Sequence, residues 1–250
     1  MAIVLAAGKG TRMNSELPKV LISVCGRPMI EYVLDALHES GLYRTLLVVG
    51  HRGDLVRAAL ANISADISAG KADISFVEQT DQLGTGHAVM VCRDELSDFD
   101  GPVLVVTGDS PLIQVDSVRN LLDAFQTHRP ACLIGTTYSE NPEGLGRIVR
   151  DEEGQFAEIV EHREATPNQL AISEVNMSTY VFDCRELLWS LQELTTNNSQ
   201  GEYYVTDCPG ILKRAEKRVL ALPLLKPCEA LSINSVEDLE VVEAEMMRRK

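Results

Sequence analysis

Residues 3–7, Ile-Val-Leu-Ala-Ala, form an unbroken apolar run that stops at Gly8, and this stretch restricts the possible architectures more than any other. Without polar alternation it reads as a strand covered on both faces, as in the middle of a parallel sheet. Gly8 and Gly10 then allow backbone angles closed to other residues and leave the main chain bare toward a ligand. Successive N–H groups in such a turn face one concavity, which is an anion site, and Arg12 and Lys19 bring two cations to it. The stretch therefore predicts a phosphate-handling loop behind a buried strand. The two common loops of this kind do not fit. A Walker A loop ends in Gly-Lys-Ser/Thr, whereas Lys9 here precedes the second glycine, and Met13 stands where the dinucleotide fingerprint needs its third glycine.

Hydrophobic periodicity extends the pattern. Residues 28–40 read as a helix with Met29, Ile30, Val33, Leu34 and Leu37 on one face and Gly41 as its stop. Strands are expected at 45–49 and 74–77 with a helix at 54–61 between them, then a strand at Pro102–Thr107, a helix at Val115–His128 and a strand at 131–137. This alternation calls for an α/β fold with parallel strands, in which ligands gather at the carboxyl ends. From residue 144 the texture shifts to hairpin signals, 144–150 and Phe156–Val160 around a turn at 151–154, followed by a late strand at 219–224. An amphipathic helix is expected at Val236–Arg249. One domain over 1–250 is predicted, with a nucleotide-binding part (1–139), a sugar-facing part (140–230) and a terminal segment with its helix (231–250).

Charge narrows the chemistry. A net charge of −14 over 250 residues argues against non-specific binding to nucleic acid or to an anionic membrane. A phosphate-rich substrate must then be held by local cations, which raises the demand for Arg12, Lys19 and a divalent metal. The cysteines at 25, 92, 132, 184, 208 and 228 show no Cys-x-x-Cys pair, so reduced, packed thiols are expected. No apolar run approaches the roughly 18 residues of a membrane helix, and no signal segment is recognisable. A cytoplasmic enzyme is the expectation.

Two further segments carry chemistry. Residues 78–88 contain Gln79 and Gln82, whose amides offer a donor and an acceptor together, as a pyrimidine edge requires; Gly84 allows close approach and Thr85 can cap the helix that follows. His87 falls inside that helix and is expected to be a packing residue. At the end of the strand Pro102–Thr107, Asp109 presents a carboxylate at the ligand crevice, a hard-oxygen ligand suited to Mg²⁺.

Residues 5–13, Leu-Ala-Ala-Gly-Lys-Gly-Thr-Arg-Met, with Leu17-Pro18-Lys19, resemble the signature of the sugar-nucleotide pyrophosphorylases. Residues 82–88, Gln-Leu-Gly-Thr-Gly-His-Ala, resemble the uridine-recognising segment of the N-acetylglucosamine-1-phosphate uridyltransferases within that family. The resemblance implies a Rossmann-like, mixed and mainly parallel sheet flanked by helices, the nucleotide-diphospho-sugar transferase fold. It implies UTP and N-acetylglucosamine 1-phosphate as substrates, with Leu5, Ala6, Ala7, Gly8, Gly10 and Thr11 around the nucleotide. Gln79 and Gln82 would read the uracil edge, with Gly84 and Thr85 beside it. Arg12 and Lys19 would be catalytic, and Asp109 and Asn234 would hold Mg²⁺. Gly146, Glu161, Asn176 and Tyr203 would contact the sugar, and Glu202 would steady the loop before Tyr203.

Two positions depart from the family pattern: Met177-Ser178 replaces the usual Thr-Gly, and Ser232 stands where a glycine is usual. Bifunctional members continue into a left-handed β-helix that acetylates glucosamine 1-phosphate. This chain shows no hexapeptide repeat, so acetyl-CoA chemistry is not expected of it. Two competing readings remain at this point: the same fold acting on another sugar 1-phosphate to make UDP-glucose, dTDP-glucose or a GDP-sugar, and a non-catalytic sugar-nucleotide-binding regulatory protein.

Overall fold

In the computed structural model of this chain the opening apolar run is strand β1 (Ala2–Ala6), and it lies inside a sheet that has nine strands among the described residues. Those residues are 1–8, 17–68 and 73–249, with the backbone alone for 62–68. A small ribbon of β2 (Ser23–Val24) and β3 (Arg27–Pro28) follows, then α1 (Met29–Glu39), β4 (Arg44–Val49), α2 (Gly53–Ser68), β5 (Asp73–Glu78), α3 (Thr85–Met90) and α4 (Arg93–Leu96). The chain continues with β6 (Pro102–Thr107), α5 (Val115–His128), β7 (Cys132–Tyr138), β8 (Gly146–Arg150), β9 (Phe156–Val160) and α6 (Pro167–Leu170). Last come β10 (Glu174–Asp183), α7 (Cys184–Gln192), α8 (Asp207–Arg214), β11 (Val219–Leu222) and α9 (Val236–Arg249).

The sheet runs β11-β7-β10-β6-β1-β4-β5, with β8 and β9 branching from β10. β1 pairs parallel with β4 on one side and β6 on the other, β4 pairs parallel with β5, and β11 with β7. β10 runs antiparallel to both β6 and β7, so the sheet is mixed and mainly parallel, as expected. Winding reverses at β1, and such a reversal opens a crevice at the carboxyl ends of the neighbouring strands. The strands from 140–230 lie in this same sheet.

Two apolar layers explain why β1 carries no polar residue. Ile3 packs with Leu46, Val48, Val103 and Val105 under α3, α4, α7 and α8, while Val4 and Ala6 pack with Leu47, Val49, Leu104 and Val106 under α1, α2 and α5. A third cluster, Val24, Met29, Leu112, Ile233 and Val242, seats α9 beside the ribbon. All six cysteines are free and five are buried. Among the described residues no helix is long and apolar enough to cross a membrane.

Most expected elements occur within a few residues of their predicted bounds, although the second helix runs on to Ser68 and the late strand stops at Leu222. β10, α7 and α8 have no counterpart in the sequence reading. In β10 the cause is local: its pairing with β7 shifts register between Asn176 and Thr179, which breaks the alternation that marks a strand.

β10 also carries a buried carboxylate that ties four strands together. Glu174, 4% exposed, accepts from Arg150 Nε (2.7 Å), Arg150 Nη2 (2.6 Å) and Thr136 Oγ1 (2.7 Å), and Arg150 Nη2 also donates to the Ala221 carbonyl (2.9 Å). Removing one partner of such a pair strands the other charge. Glu174→Ala is expected to cost about 2–4 kcal/mol, less than a fully buried pair because Arg150 keeps some solvent contact. Chemical denaturation followed by circular dichroism measures it, and a loss below about 1 kcal/mol would mean the network is not holding β7, β8, β10 and β11 together.

Candidate active site

At the carboxyl ends of β1 and β6 the two strands are drawn together by a backbone hydrogen bond from Gly108 N–H to the Leu5 carbonyl (2.8 Å). A side chain at 108 would press on Ile30 and lie 3.2 Å from that carbonyl oxygen, so glycine eases the approach. The next residue is Asp109. Facing it is Lys19, held in a single 3₁₀ turn (Lys19–Leu21) that Pro18 starts and whose Leu21 N–H bonds to the Pro18 carbonyl. The third group arrives from the far end of the described chain. Asn234 sits just before α9, where Asp238 accepts from the backbone N–H of Asn234 (2.8 Å) and Ser235 (2.9 Å) and Ser235 Oγ accepts from Asp238 N–H, a reciprocal cap.

These three meet at one point. Lys19 Nζ donates to Asp109 Oδ2 (2.5 Å) and to Asn234 Oδ1 (2.8 Å). Asn234 Nδ2 in turn donates to Ser232 Oγ (3.1 Å), which leaves Oδ1 to the Lys19 ammonium. The serine found in place of the family's glycine thus orients this amide. Asp109 and Asn234 are the two oxygen donors expected for a metal. Among the described residues no cluster of three or more His, Cys, Asp or Glu could hold an ion by itself, so one bound here would need ligand atoms from substrate or water.

A cleft of about 310 Å³ opens beside this triad. Leu5, Ala6, Ala7, Gly8, Lys19, Asp109, Gln79, Gln82, Gly84 and Thr85 all line it, so ten of the expected residues share one cavity. Gly10, Thr11 and Arg12 lie outside the described residues. Gln79, 4% exposed, donates from Nε2 to the Gly84 carbonyl (3.0 Å), and the same nitrogen lies 3.1 Å from His87 Nδ1. Gln82 Nε2 donates to the Ala7 carbonyl (3.0 Å), so that amide ties the 78–85 segment to the first loop. His87 therefore does more than pack.

Residues 202–205 strap across the start of α3. Tyr203 N–H donates to the Leu83 carbonyl (2.8 Å), Gly86 N–H to the Tyr203 carbonyl (2.7 Å) and Val205 N–H to Thr85 Oγ1 (3.1 Å). Thr85, expected as a cap, makes its bond to the strap. The loop before the strap is steadied by Asn198, whose Oδ1 accepts from Gln200 and Glu202 N–H while its Nδ2 donates to the Glu202 carbonyl. That role had been expected of Glu202, whose side chain instead lines the cleft. Asn-x-Gln-Gly-Glu is an Asx-turn signal and marks Asn198 in the sequence.

A second cavity of about 410 Å³ adjoins the first through the shared lining residues Leu5, Thr85 and Thr107. Glu161 lines it, with Glu164, Ser178 and Tyr204. Burial pushes the Glu161 carboxyl above the usual range, the charges of Glu164 and Asp207 add to this, and the Thr206 hydroxyl partly opposes it. Gly146 and Asn176 are paired across β8 and β10, and a methyl at Gly146 would lie 3.7 Å from Glu161 Oε1, so these three expected residues cluster. Asn176 is buried with Oδ1 accepting from Tyr180 Oη (3.0 Å) and Ser178 N–H (3.2 Å). Of the two adjacent tyrosines, Tyr203 packs on the core and Tyr204 reaches the cavity lining. Ser178 takes φ +49°, in the left-handed region that favours glycine, at the bulge where the sequence departs from the family.

Comparison with known proteins adds three findings. The family model described as the MobA-like NTP transferase domain matches residues 2–201. Proteins named bifunctional protein GlmU, from Streptococcus mutans serotype c and from Streptococcus pyogenes serotype M1, are each 42% identical over 248 residues, which is 99% of this chain and 52% of the relative. The chain thus spans about half the length of the curated relatives it matches. Among solved structures, UDP-glucose pyrophosphorylase complexed with UDP-glucose aligns with TM-score 0.80 at 18% identity, covering 100% of this chain and 98% of that one. A putative glucose-1-phosphate thymidylyltransferase from Bacillus anthracis aligns with TM-score 0.76 at 20% identity, covering 98% and 94%. Both share the nucleotidyltransferase fold.

Gly84 adopts φ +105°, and a Cβ there would collide with the Tyr203 carbonyl oxygen. Gly84→Ala is expected to destabilise the protein by about 1–3 kcal/mol, since backbone and not a pliable side chain must give way. Thermal melting tests this; an unchanged midpoint would show that the strap does not bear on α3.

Proposed function

Since the chain belongs to the MobA-like NTP transferase domain family, we propose that its two adjoining cavities transfer a uridylyl group from UTP to N-acetylglucosamine 1-phosphate. The observation that carries this reading is the meeting of Lys19, Asp109 and Asn234 at the mouth of a cleft lined by Gln79. The likeness of residues 82–88 to the uridine-recognising segment, and the 42% identity to GlmU proteins, support uridine and an N-acetylated sugar.

In this reading a phosphate oxygen of the sugar phosphate attacks the α-phosphorus of UTP in line. The bond to the oxygen bridging the α- and β-phosphorus atoms breaks, pyrophosphate leaves, and UDP-N-acetylglucosamine remains. Two anions must be brought together in a protein of charge −14, so catalysis is positioning and local charge stabilisation. Lys19 brings its ammonium to the reacting phosphates, and Arg12, by the family resemblance, covers the triphosphate. Leu5, Ala6, Ala7 and Gly8 cradle the nucleotide, with Gly10 and Thr11 assigned there by sequence alone. Gln79 reads the uracil edge, while Gln82 braces the segment that carries it. Gly146, Glu161 and Asn176 form the sugar wall, with Tyr204 at the place expected of Tyr203.

Asp109 Oδ2 and Asn234 Oδ1 already converge on a cation, the Lys19 ammonium, and two hard oxygens so arranged fit a divalent ion. Mg²⁺ is the ion of this proposal, and it would supply charge neutralisation to the phosphates. Lys19 must then leave the pair, which frees its ammonium for substrate.

Lys19→Ala should lower turnover on the order of a hundredfold, about 3 kcal/mol, in a protein that melts near the wild type. Pyrophosphate release over a panel of sugar 1-phosphates and nucleoside triphosphates reads both this loss and the substrate pair. Undiminished turnover in folded Lys19→Ala, or a preference for another pair, would overturn the assignment. Lys19→Met removes the resident cation, so Mn²⁺ alone should bind about tenfold more tightly, measured by electron paramagnetic resonance. Unchanged affinity would take Asp109 and Asn234 out of the ion site.

A further inference from the structure

Gln79 sits beneath the cleft with its amide nitrogen facing two groups at once, the Gly84 carbonyl oxygen (3.0 Å) and His87 Nδ1 (3.1 Å). A backbone carbonyl can only accept, so the amide atom facing Gly84 is nitrogen whatever the density of contacts around it. That same nitrogen faces His87 Nδ1. Nδ1 must therefore offer its lone pair, and the imidazole proton resides on Nε2. Both Nε2 hydrogens of Gln79 are engaged, one by each partner. The atom left to address the cleft is Oε1, an acceptor.

From this geometry we infer that His87 is a positioning residue that locks the Gln79 amide with its oxygen toward the nucleobase, so that the site selects an imide N–H over a bare ring nitrogen. The inference rests on the proposed placement of the base beside Gln79. Uracil presents N3–H, which Oε1 accepts. Cytosine presents a lone pair at N3, which Oε1 repels. A free glutamine would accommodate cytosine by rotating its amide through half a turn. Here that rotation would set Oε1 against the Gly84 oxygen, left unpaired in a nearly buried place, and would oblige His87 to move its ring proton from Nε2 to Nδ1. The Gly84 carbonyl belongs to the backbone and is always present. His87 is the removable half of the lock, and it is carried on α3, whose start is pinned by the bonds from Gly86 and Thr85 to the 202–205 strap.

The measurement is equilibrium binding of UTP and of CTP to the full chain in magnesium buffer, by isothermal titration calorimetry. His87→Phe keeps a ring of similar size without the acceptor, and His87→Asn restores an acceptor near the Nδ1 position. Loss of one hydrogen bond of this kind is worth about tenfold. His87→Phe should therefore bind UTP about tenfold more weakly and lose about tenfold of its preference over CTP, with His87→Asn near the wild type. A merely structural role for His87 would weaken both nucleotides alike and leave their ratio unmoved. Should His87→Phe fail to fold, His87→Leu carries the same test. Gln79→Leu separates the two ways of being wrong. If it abolishes the preference while His87→Phe keeps it, the lock is refuted and the base placement stands; if Gln79→Leu keeps the preference, the base does not lie against Gln79 and both fall.

Discussion

Everything at this site depends on two parallel strands ending side by side. The hydrogen bond from Gly108 N–H to the Leu5 carbonyl closes the gap between β1 and β6, and it places the residue after Gly108 opposite the loop that follows β1. Glycine suits that spacing, because a side chain would crowd Ile30, Val20 and the Leu5 oxygen. The apolar layers on both faces make the pairing rigid, since β1 has no solvent edge along which to slide. A carboxylate and an ammonium can then be held at 2.5 Å by elements that share no local sequence.

The charge balance gives that contact its meaning. An acidic protein repels anions at long range, so the proposed phosphate substrates would need cations concentrated at the site. Lys19 is kept in place by Asp109 and Asn234, which are themselves suited to a divalent ion. The Lys19 ammonium thus serves as counter-ion to a partly buried carboxylate. In the proposed reaction, substrate phosphates would offer the ammonium a second partner.

The two cavities share part of their walls. Leu5, Thr85 and Thr107 line both, and the 202–205 strap bonds to α3 beside the first while contributing Tyr204 and Val205 to the second. Asn198 keeps the loop before the strap in register.

Local signals were legible in the residue order. The apolar run before Gly8, the strand ending at Asp109, the amides at 79 and 82 and the closing helix could each be read because a short window carries the whole cause: periodicity, a glycine, a cap. What could not be read depends on contacts across the chain. β10 was hidden because its bulge breaks the alternation. His87 looked like a packing residue because the fold-back at Gly84 that sets it against Gln79, eight positions earlier, follows neither helical nor strand spacing, and Tyr204 could not be told from Tyr203 until the strap set which ring faces the core. Lys19 and Asn234 are 215 positions apart, and no spacing rule joins them. The sequence by itself determined an α/β chain with a glycine turn behind its first strand and the chemical types the proposed nucleotidyl transfer would need. Only tertiary structure decided which of those groups touch, because hydrogen-bond partners over such separations are chosen by sheet order and packing.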